Sequence, residues 1–351
     1  MTQNSAIQNE PRPSHTSLSS GKAPEPTRLI TRLGALRGII GLIALVIIGI
    51  VVSPRDRRNG DILFLQVGNI IDILRQVSEI GIIAIAMTFV VLTAGIDLSV
   101  GSTLAMSATV TGLVLTRVFD HTPYALHIAI AVLAGLAVGG AAGLVNGFVI
   151  SRLSIQPFIM TLAAMMGLRG LARSLTNNTN IEFSFGDDVT ARFADVMSQK
   201  TTVIACFAGM AIVFAVVLKK TVFGRYVRAI GDNEKAASYA GVPIARIKVW
   251  VYFLCGLLAG LAGVLHAAQS HQGNPNDGVA YELDAIAAVV IGGTSLAGGR
   301  GTIFGTIIGT LIIGTLTNIL GLKDVDSNRQ LIVKAVIIVL AVWAQSRKRV
   351  A

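Results

Sequence analysis

Charge is scarce in this chain. Only 14% of its 351 residues are Asp, Glu, Lys or Arg, whereas 53% are hydrophobic. Residues 201–218 and 249–276 contain none of these four residue types. A helix needs about 17 or more predominantly apolar residues to cross a bilayer. A soluble fold has no place for so much continuous apolar surface, and the sequence therefore predicts an all-α, polytopic membrane helix bundle.

Cysteine is almost absent, and so are the motifs of nucleotide and metal sites. Cys206 and Cys255 both lie in apolar runs, as small buried side chains do, so we expect neither a disulfide nor a metal site. A phosphate-binding loop would place Gly-Lys-Ser/Thr where residues 300–302 read Arg-Gly-Thr. With no convergent set of acids, bases or ligands, we predict that the chain is not an enzyme and holds no cofactor.

The net charge of +10 does not indicate a nucleic-acid partner, because the basic residues cluster beside the apolar runs, as they do at membrane surfaces. Residues 1–27 are rich in Ser, Thr, Pro, Gln and Asn, which predicts a disordered cytoplasmic tail. Residues 28–351 are predicted to form the transmembrane domain. Its segment 53–78 is mixed in character, and residues 62–77, with apolar residues at helical spacing, are expected to lie in the membrane interface. The predicted ten transmembrane helices lie at 38–52, 77–94, 102–117, 126–149, 155–173, 201–218, 249–268, 283–297, 302–321 and 330–346.

Orientation follows from the basic residues. With the N-terminal tail inside, ten spans also place residues 219–248 and 347–349 inside, so that both termini are cytoplasmic. The Lys and Arg residues favour this arrangement, although Arg55, Arg57 and Arg58 oppose it. Residues 174–200 then form the longest polar loop on the outer side.

Two glycine-containing stretches interrupt the apolar pattern, at 93–102 and 292–302. They share the spacing G-x-x-L-x-x-G, which reads Gly95, Leu98, Gly101 in the first and Gly293, Leu296, Gly299 in the second. Each precedes an apolar run. We interpret them as broken helices whose irregular backbone lines a cavity, as in transporters.

Asp97 is the one carboxylate in the long run from Ile80 to Thr116. A charge at the bilayer centre costs roughly 2.5–3.5 kcal/mol on insertion scales, so Asp97 must lie near an interface, have a partner, or cap the next helix itself or through Ser99. A direct role in gating is the alternative. The candidates for the translocation path are Gly95, Asp97, Ser99, Gly101, Asn146, Gln156, Gln269 and Asn318; hydrogen bonds between helices explain the polar ones equally well.

Residues 219–248 form a charged island between two uncharged runs, which cannot lie in hydrocarbon. Asp232 and Asn233 suit a helix N-cap, Gly241 suits the left-handed residue that ends a helix, and Pro243 prevents its continuation. Such a helix would present small alanines at the membrane surface. It is either an ordinary surface helix or a docking helix for a partner.

Three blocks of the chain resemble the permease subunits of ribose-type sugar ABC importers. They read LRQVSEIGIIAIAMTFVVLTAGIDLSVGS, GRYVRAIGDNEKAASYAGVPIARIKVWVY and AAVVIGGTSLAGGRGTIFGTIIGTLIIG, and the similarity extends over roughly residues 60–345. The stretch AGIDLSVGS is the most specific. The resemblance implies a translocation subunit in the bacterial inner membrane for a monosaccharide such as ribose or xylose.

The same resemblance implies the partners and the place of energy input. The partners are membrane lipid, a cytoplasmic ABC ATPase, an extracytoplasmic sugar-binding protein and a second permease copy, identical or related. Residues 232–244 match the position of the coupling helix in such permeases, although 234–237 read Glu-Lys-Ala-Ala rather than the E-A-A of other importers. The candidate coupling residues are Asp232, Glu234, Ala237, Ser238, Ala240, Gly241 and Val242.

The alternative is an ion-coupled secondary transporter of a small polar solute. Several buried acids or histidines in the spans would favour it, and the sequence offers only Asp97 and His266. Because the chain shows neither a nucleotide site nor a carboxylate relay, energy has to enter through a partner. The outer loop 174–200 is expected to bind the extracytoplasmic protein.

Overall fold

The computed structural model describes residues 27–57, 60–116, 123–183 and 188–346. The predicted tail lies outside these ranges, apart from Thr27. Residues 184–187 of the predicted outer loop and the basic residues 347–349 also lie outside them. The thirteen helices of the described residues are α1 (Thr27–Val52), α2 (Val67–Leu92), α3 (Val100–Thr116), α4 (Tyr124–Arg152), α5 (Pro157–Leu175), α6 (Val189–Met197), α7 (Lys200–Lys220), α8 (Val222–Asp232), α9 (Glu234–Tyr239), α10 (Ile244–Ser270), α11 (Tyr281–Ile291), α12 (Ile303–Leu322) and α13 (Ser327–Ser346). A two-stranded antiparallel sheet pairs β1 (Ile181–Glu182) with β2 (Gln272–Gly273).

The predicted helical bundle is confirmed. Six of the described helices are long and apolar enough to cross a membrane, namely α2, α4, α5, α7, α10 and α12. Two shorter apolar helices lie at 38–52 and 100–116. Helix α11 has 11 residues, which is about 16 Å and too short to span a bilayer alone. The count of ten spans therefore stays a prediction.

The boundary predicted for the second span was wrong. Helix α2 begins at Val67 rather than near 77, so residues assigned to the interface extend a helix of 26 residues. Ile73 and Val77 anchor this part of α2, because they form one buried cluster with Phe64 and Ile319. The charges at 55–61 misled the prediction, since they belong to the turn before the helix.

Glycines let α4 and α10 approach closely. A Cβ on Gly139 would overlap the backbone of Gly256 and Gly260, and one on Gly143 would overlap the carbonyl of Tyr252. Helices in lipid gain stability from such contact because apolar burial alone does not distinguish a neighbouring helix from lipid. Among the described helices, these two share the most extensive pairwise contact.

Both predicted breaks exist and lie at one end of the bundle, which also carries α8 and α9; we call it the break end. Helix α2 ends with the hydrogen bonds of a Schellman motif, from Ala94 N to Val91 O and from Gly95 N to Val90 O, and Ala94 adopts the left-handed conformation that glycine usually provides. The backbone of 93–99 and of 292–302 is not helical. The opposite end, which carries β1, β2 and α6, is the strand end.

A third non-helical stretch, residues 271–280, lies where the predicted spans left a loop, but its path into the bundle was not predicted. It runs back from the strand end along α3, with Gly273 against Ala108 and Gly278 against Gly101. Helix α11 starts from its inner end. Polar backbone at this depth is tolerated only where protein covers it or where it lines a water-filled cavity.

Candidate functional site

The first break is braced by a buried polar cluster. Asp97 Oδ1 accepts hydrogen bonds from the amide and the hydroxyl of Ser99, at 2.9 and 2.6 Å. The carbonyl of Ser99 accepts from the amide of Thr103, so Ser99 is the first residue to engage α3. Asp97 therefore acts on α3 through Ser99. Ser99 thus occupies the N-cap position of α3, whereas Asp97 lies two residues earlier and binds the amide and hydroxyl of Ser99 rather than an amide of the helix itself.

Neighbouring helices complete this cluster. On α4, Asn146 Nδ2 donates to the Ser99 hydroxyl at 2.9 Å. On α10, Tyr252 places its hydroxyl where a Cβ of Gly95 would stand. The hydroxyl of Tyr252 and Oδ1 of Asn146 are buried without a hydrogen-bond partner among the described residues. The structure thus brings together four of the predicted path residues, Gly95, Asp97, Ser99 and Asn146.

The other four path candidates lie apart from that cluster. Gly101 packs against the backbone of Gly278. Gln156 occupies the N-cap position of α5 without a capping hydrogen bond from its side chain, while Gln269 accepts from Arg75 at 2.6 Å. Asn318 exchanges two hydrogen bonds with Asn69. Gln269 and Asn318 therefore form hydrogen bonds between helices, which is the alternative to a place in the translocation path.

A charged cluster that the sequence analysis missed lies beside the 271–280 stretch. The two ring nitrogens of His266 lie 3.0 Å from Glu79 Oε2 and 3.1 Å from Asp277 Oδ2. A histidine ring that donates from both nitrogens to ionised carboxylates is a cation. From α5, Arg169 donates to the carbonyls of Pro275 and Asp277. Glu79 was overlooked because the wrong start of α2 placed it at a helix end.

A second overlooked ion pair joins the last helices. Lys334 Nζ on α13 lies 2.7 Å from Asp284 Oδ2 on α11, and both side chains are largely buried. The spans thus contain more buried ionisable groups than Asp97 and His266, which corrects the earlier inventory. Glu79, Asp277 and Asp284 each have a basic partner among the described residues.

The island contains the expected capped helix. Asn233 is the N-cap of α9 and accepts from the amide of Ala236 at 2.9 Å. At the other end, Gly241 has φ +80°, and amides 241 and 242 donate to the carbonyls of Ser238 and Ala237 in a complete Schellman motif. Amphipathic α8, which precedes it and buries Val227, was not predicted.

The candidate coupling residues do not share one surface. Ala237 is buried in the chain's own core and Val242 packs against it, so the proposed alanine face points inward at Ala237. Glu234 accepts from Lys248 at 2.7 Å, and Asp232 turns toward Gly299 of the second break. The exposed surface of α9 consists of Glu234, Lys235, Ala236, Ser238 and Tyr239, with Ala240 beside them; Tyr239 is 91% exposed.

Comparison with known proteins gives a consistent assignment. A family described as "Branched-chain amino acid transport system / permease component" matches residues 69–342. The chain is 42% identical over 316 residues to the ribose import permease protein RbsC of Escherichia coli strain K12, covering 89% of this chain and 94% of that protein. RbsC of Bacillus subtilis strain 168 is 43% identical, with 88% and 92% covered. The L-arabinose ABC transporter permease protein AraH of Azospirillum brasilense is 38% identical, with 82% of each chain covered. No solved structure gives a significant match.

Proposed function

The chain belongs to the family of branched-chain amino acid transport system permease components, and from that premise we propose that it is the membrane subunit of an ATP-binding-cassette importer for a monosaccharide. It is a permease, and ATP hydrolysis takes place on a separate subunit. The observation that carries the proposal is that relatives named for ribose and L-arabinose match over more than four fifths of both chains. A sugar is therefore favoured over the amino acids of the family's description.

The partners that fit are a cytoplasmic ATPase, an extracytoplasmic sugar-binding protein and a second permease copy. The ATPase would bind the break end, where α9 is capped at both ends and held by the Glu234–Lys248 ion pair. A rigid helix with an exposed tyrosine suits a pocket in a partner, because aromatic anchors bind at little cost in conformational entropy. Residues 174–183 and 188–200, at the strand end, would face the sugar-binding protein.

Helix α5 is proposed to line the path. Among the six long apolar helices it has the smallest buried share and is also the least apolar. Helices α4 and α7, which are likewise poorly buried, are the most apolar, as lipid contact requires. Helix α5 departs from that trend, and its exposed face, which includes Phe158, Met166 and Leu171, suits contact with a second copy beside the path. Gly167 and Gly170 on it border open space.

The buried cluster around Asp97 then has a supporting role in this proposal. Thr161 of α5 donates to the carbonyl of Ile96 at 3.2 Å, so the first break holds α5 directly. Farther from the break end, Arg169 attaches α5 to the 271–280 stretch. A change at either stretch would move the helix that faces the path.

The test is uptake in proteoliposomes that contain the chain, its genomic-neighbour ATPase and the matching binding protein. We expect accumulation of one labelled monosaccharide, among ribose, arabinose, xylose and allose, only with ATP inside and the binding protein outside. A labelled branched-chain amino acid serves as the control solute. Uptake driven by an ion gradient without ATP would overturn the proposal in favour of secondary transport, and leucine uptake would overturn the sugar assignment.

A further inference from the structure

The two helix breaks and the end of α8 meet in a set of close contacts between backbone atoms. The amide of Gly299, in the second break, donates to the carbonyl of Leu92, the last residue of α2, at 3.0 Å. Gly231 lies against both, since a Cβ there would overlap the Leu92 carbonyl and the Gly299 amide. A Cβ on Gly298 would in turn lie 2.8 Å from the Gly231 α-carbon. We call these four residues, Leu92, Gly231, Gly298 and Gly299, the joint.

Two further contacts hold α8 in the joint. Arg228 Nη2 lies 3.5 Å from the carbonyl of Gly301, in the second break. Val227 and Ile230 are buried in the same core as Leu92. Gly298 and Gly299 have φ of +86° and +73°, which side-chain-bearing residues rarely adopt, so the close approach of the second break to α8 depends on glycine at both positions.

Resting on the function proposed above, we propose that Gly231 is a positioning residue for transport: it transmits movement of the α8–α9 segment to both helix breaks at once. Contacts between backbone atoms leave no flexible side chain to absorb a shift, so a small displacement of α8 displaces Leu92 and Gly299 together. Leu92 leads through the first break to Ile96, which binds Thr161 of α5. The joint thus connects the island to the helix proposed to line the path.

Gly231→Ala tests this role, because its methyl group would separate α8 from the joint without altering the exposed face of α9. Gly209→Ala is the matched control: Gly209 lies in α7, the helix before α8, and a Cβ there meets no atom within 4 Å. The first measurement, hydrogen exchange of the peptide spanning 292–302 in the purified complex, requires no transport. We expect faster exchange in Gly231→Ala and wild-type exchange in Gly209→Ala.

The second measurement is ATP hydrolysis in proteoliposomes, with and without the sugar-loaded binding protein. Gly231→Ala should recover the ATPase at the wild-type ratio while its stimulation by the loaded binding protein falls at least tenfold. A merely structural role would lower complex recovery and leave stimulation per complex intact, which overturns the proposal. If Gly231→Ala does not reach the membrane, Arg228→Gln replaces it, with faster exchange and lost stimulation again expected.

The remaining outcomes also decide. Wild-type hydrogen exchange at 292–302 in both Gly231→Ala and Arg228→Gln would refute the proposed role of the joint. Full ATPase stimulation in Gly231→Ala would refute it as well. If the wild-type complex neither imports sugar nor responds to the binding protein, the proposed importer function fails and with it the transport role of Gly231. The exchange result then still shows whether Gly231 holds the second break.

Discussion

Asp97 is buried near the break end with its Oδ1 accepting both hydrogen bonds from Ser99. Asp97→Asn retains an oxygen at that position, so we expect the variant to insert and to keep its thermal stability. The variant loses the charge that polarises the Ser99 hydroxyl, and this hydroxyl in turn accepts from Asn146. We expect sugar uptake to fall roughly tenfold, equivalent to about 1.4 kcal/mol.

Asp97→Ala is the matched control, since it removes the acceptor as well as the charge. Hydrogen bonds to charged groups contribute about 1.5–3 kcal/mol, so this variant should unfold at a clearly lower temperature in detergent. Wild-type uptake by Asp97→Asn would assign Asp97 a purely structural role.

At the residue scale, some of the site was predictable and some was not. Asp97 and Ser99 could be placed at the start of α3 because Asp and Ser just before an apolar run are typical of a helix N-terminus. The partner of Glu79 could not, since His266, which also binds Asp277, approaches Glu79 only through the tertiary fold. Ala237 was assigned to the outer face because helical spacing gives no direction until the helix is docked, and α9 turns it inward.

At the scale of single elements, α9 offers a sharper docking test than the buried Ala237. Tyr239→Ala removes an exposed aromatic side chain without disturbing either cap of α9. We expect recovery of the ATPase with the permease to fall at least tenfold, because truncation of such anchors commonly costs about 2 kcal/mol or more. Exposed Tyr124 at the start of α4 supplies the control variant, Tyr124→Ala, which should co-purify normally.

Gly241 tests the same helix through its backbone. A Cβ there meets no atom within 4 Å, so Gly241→Val acts only on the left-handed conformation, at a cost of about 1–3 kcal/mol. Insertion should survive and coupling should weaken. Full ATPase recovery and full uptake in both Tyr239→Ala and Gly241→Val would remove α9 from the docking surface.

Helix α6, at the strand end, has a pH-dependent cap. Asp188 accepts from the Thr190 hydroxyl and from the amides of Thr190 and Ala191, and the hydroxyl contributes most to holding its pKa below the usual range. A carboxyl group whose pKa is depressed in the folded state stabilises the fold at pH values above its unfolded-state pKa. That stabilisation is lost as the pH falls through the folded-state pKa. Asp188→Ala should therefore cost about 1 kcal/mol at pH 7.

That difference between wild type and Asp188→Ala should shrink as the pH falls below the ordinary Asp range, because the protonated carboxyl caps poorly. Thermal unfolding midpoints from pH 7 to pH 3 measure it. A constant gap would show that the charge of Asp188 does not contribute to the cap. Asp188→Asn separates the two effects, since it caps without titrating.

Elements were predictable where composition changes sharply. The two breaks and α9 carry Gly, Asp and Asn at positions that favour non-helical backbone or caps. Residues 271–280 carry the same signals, yet they read as an ordinary outer loop because nothing local shows that they turn back along α3. Helix α8 was hidden for a related reason: its charges suggested a loop, and only packing reveals its buried face.

At the scale of the whole molecule, the contacts give the relative direction of the helices. Helix α1 runs parallel to α12, with Gly38 beside Ile308 and Gly49 beside Ile319. Helix α12 starts at the second break, so α1 starts at the break end as well. The structure thus groups the start of α1 with α8 and α9, as the distribution of basic residues predicted. Which side of the membrane this end faces is left to experiment.

Cysteine labelling decides the orientation. In a background that lacks Cys206 and Cys255, Asn178→Cys reports on the strand end and Tyr239→Cys on the break end, and both side chains are exposed. Because seven of the Lys and Arg residues lie in 219–248, the positive-inside rule places the break end in the cytoplasm. An impermeant thiol reagent should therefore label Asn178→Cys, and not Tyr239→Cys, in intact spheroplasts.

Inverted vesicles provide the reciprocal measurement, in which only Tyr239→Cys should react. The two variants control for each other, since each preparation must label one and spare the other. Labelling of Asn178→Cys from the cytoplasmic face alone would reverse the molecule in the membrane. The break end would then face away from any cytoplasmic ATPase, and α9, the joint and the proposed route of energy into α5 would all have to be abandoned together.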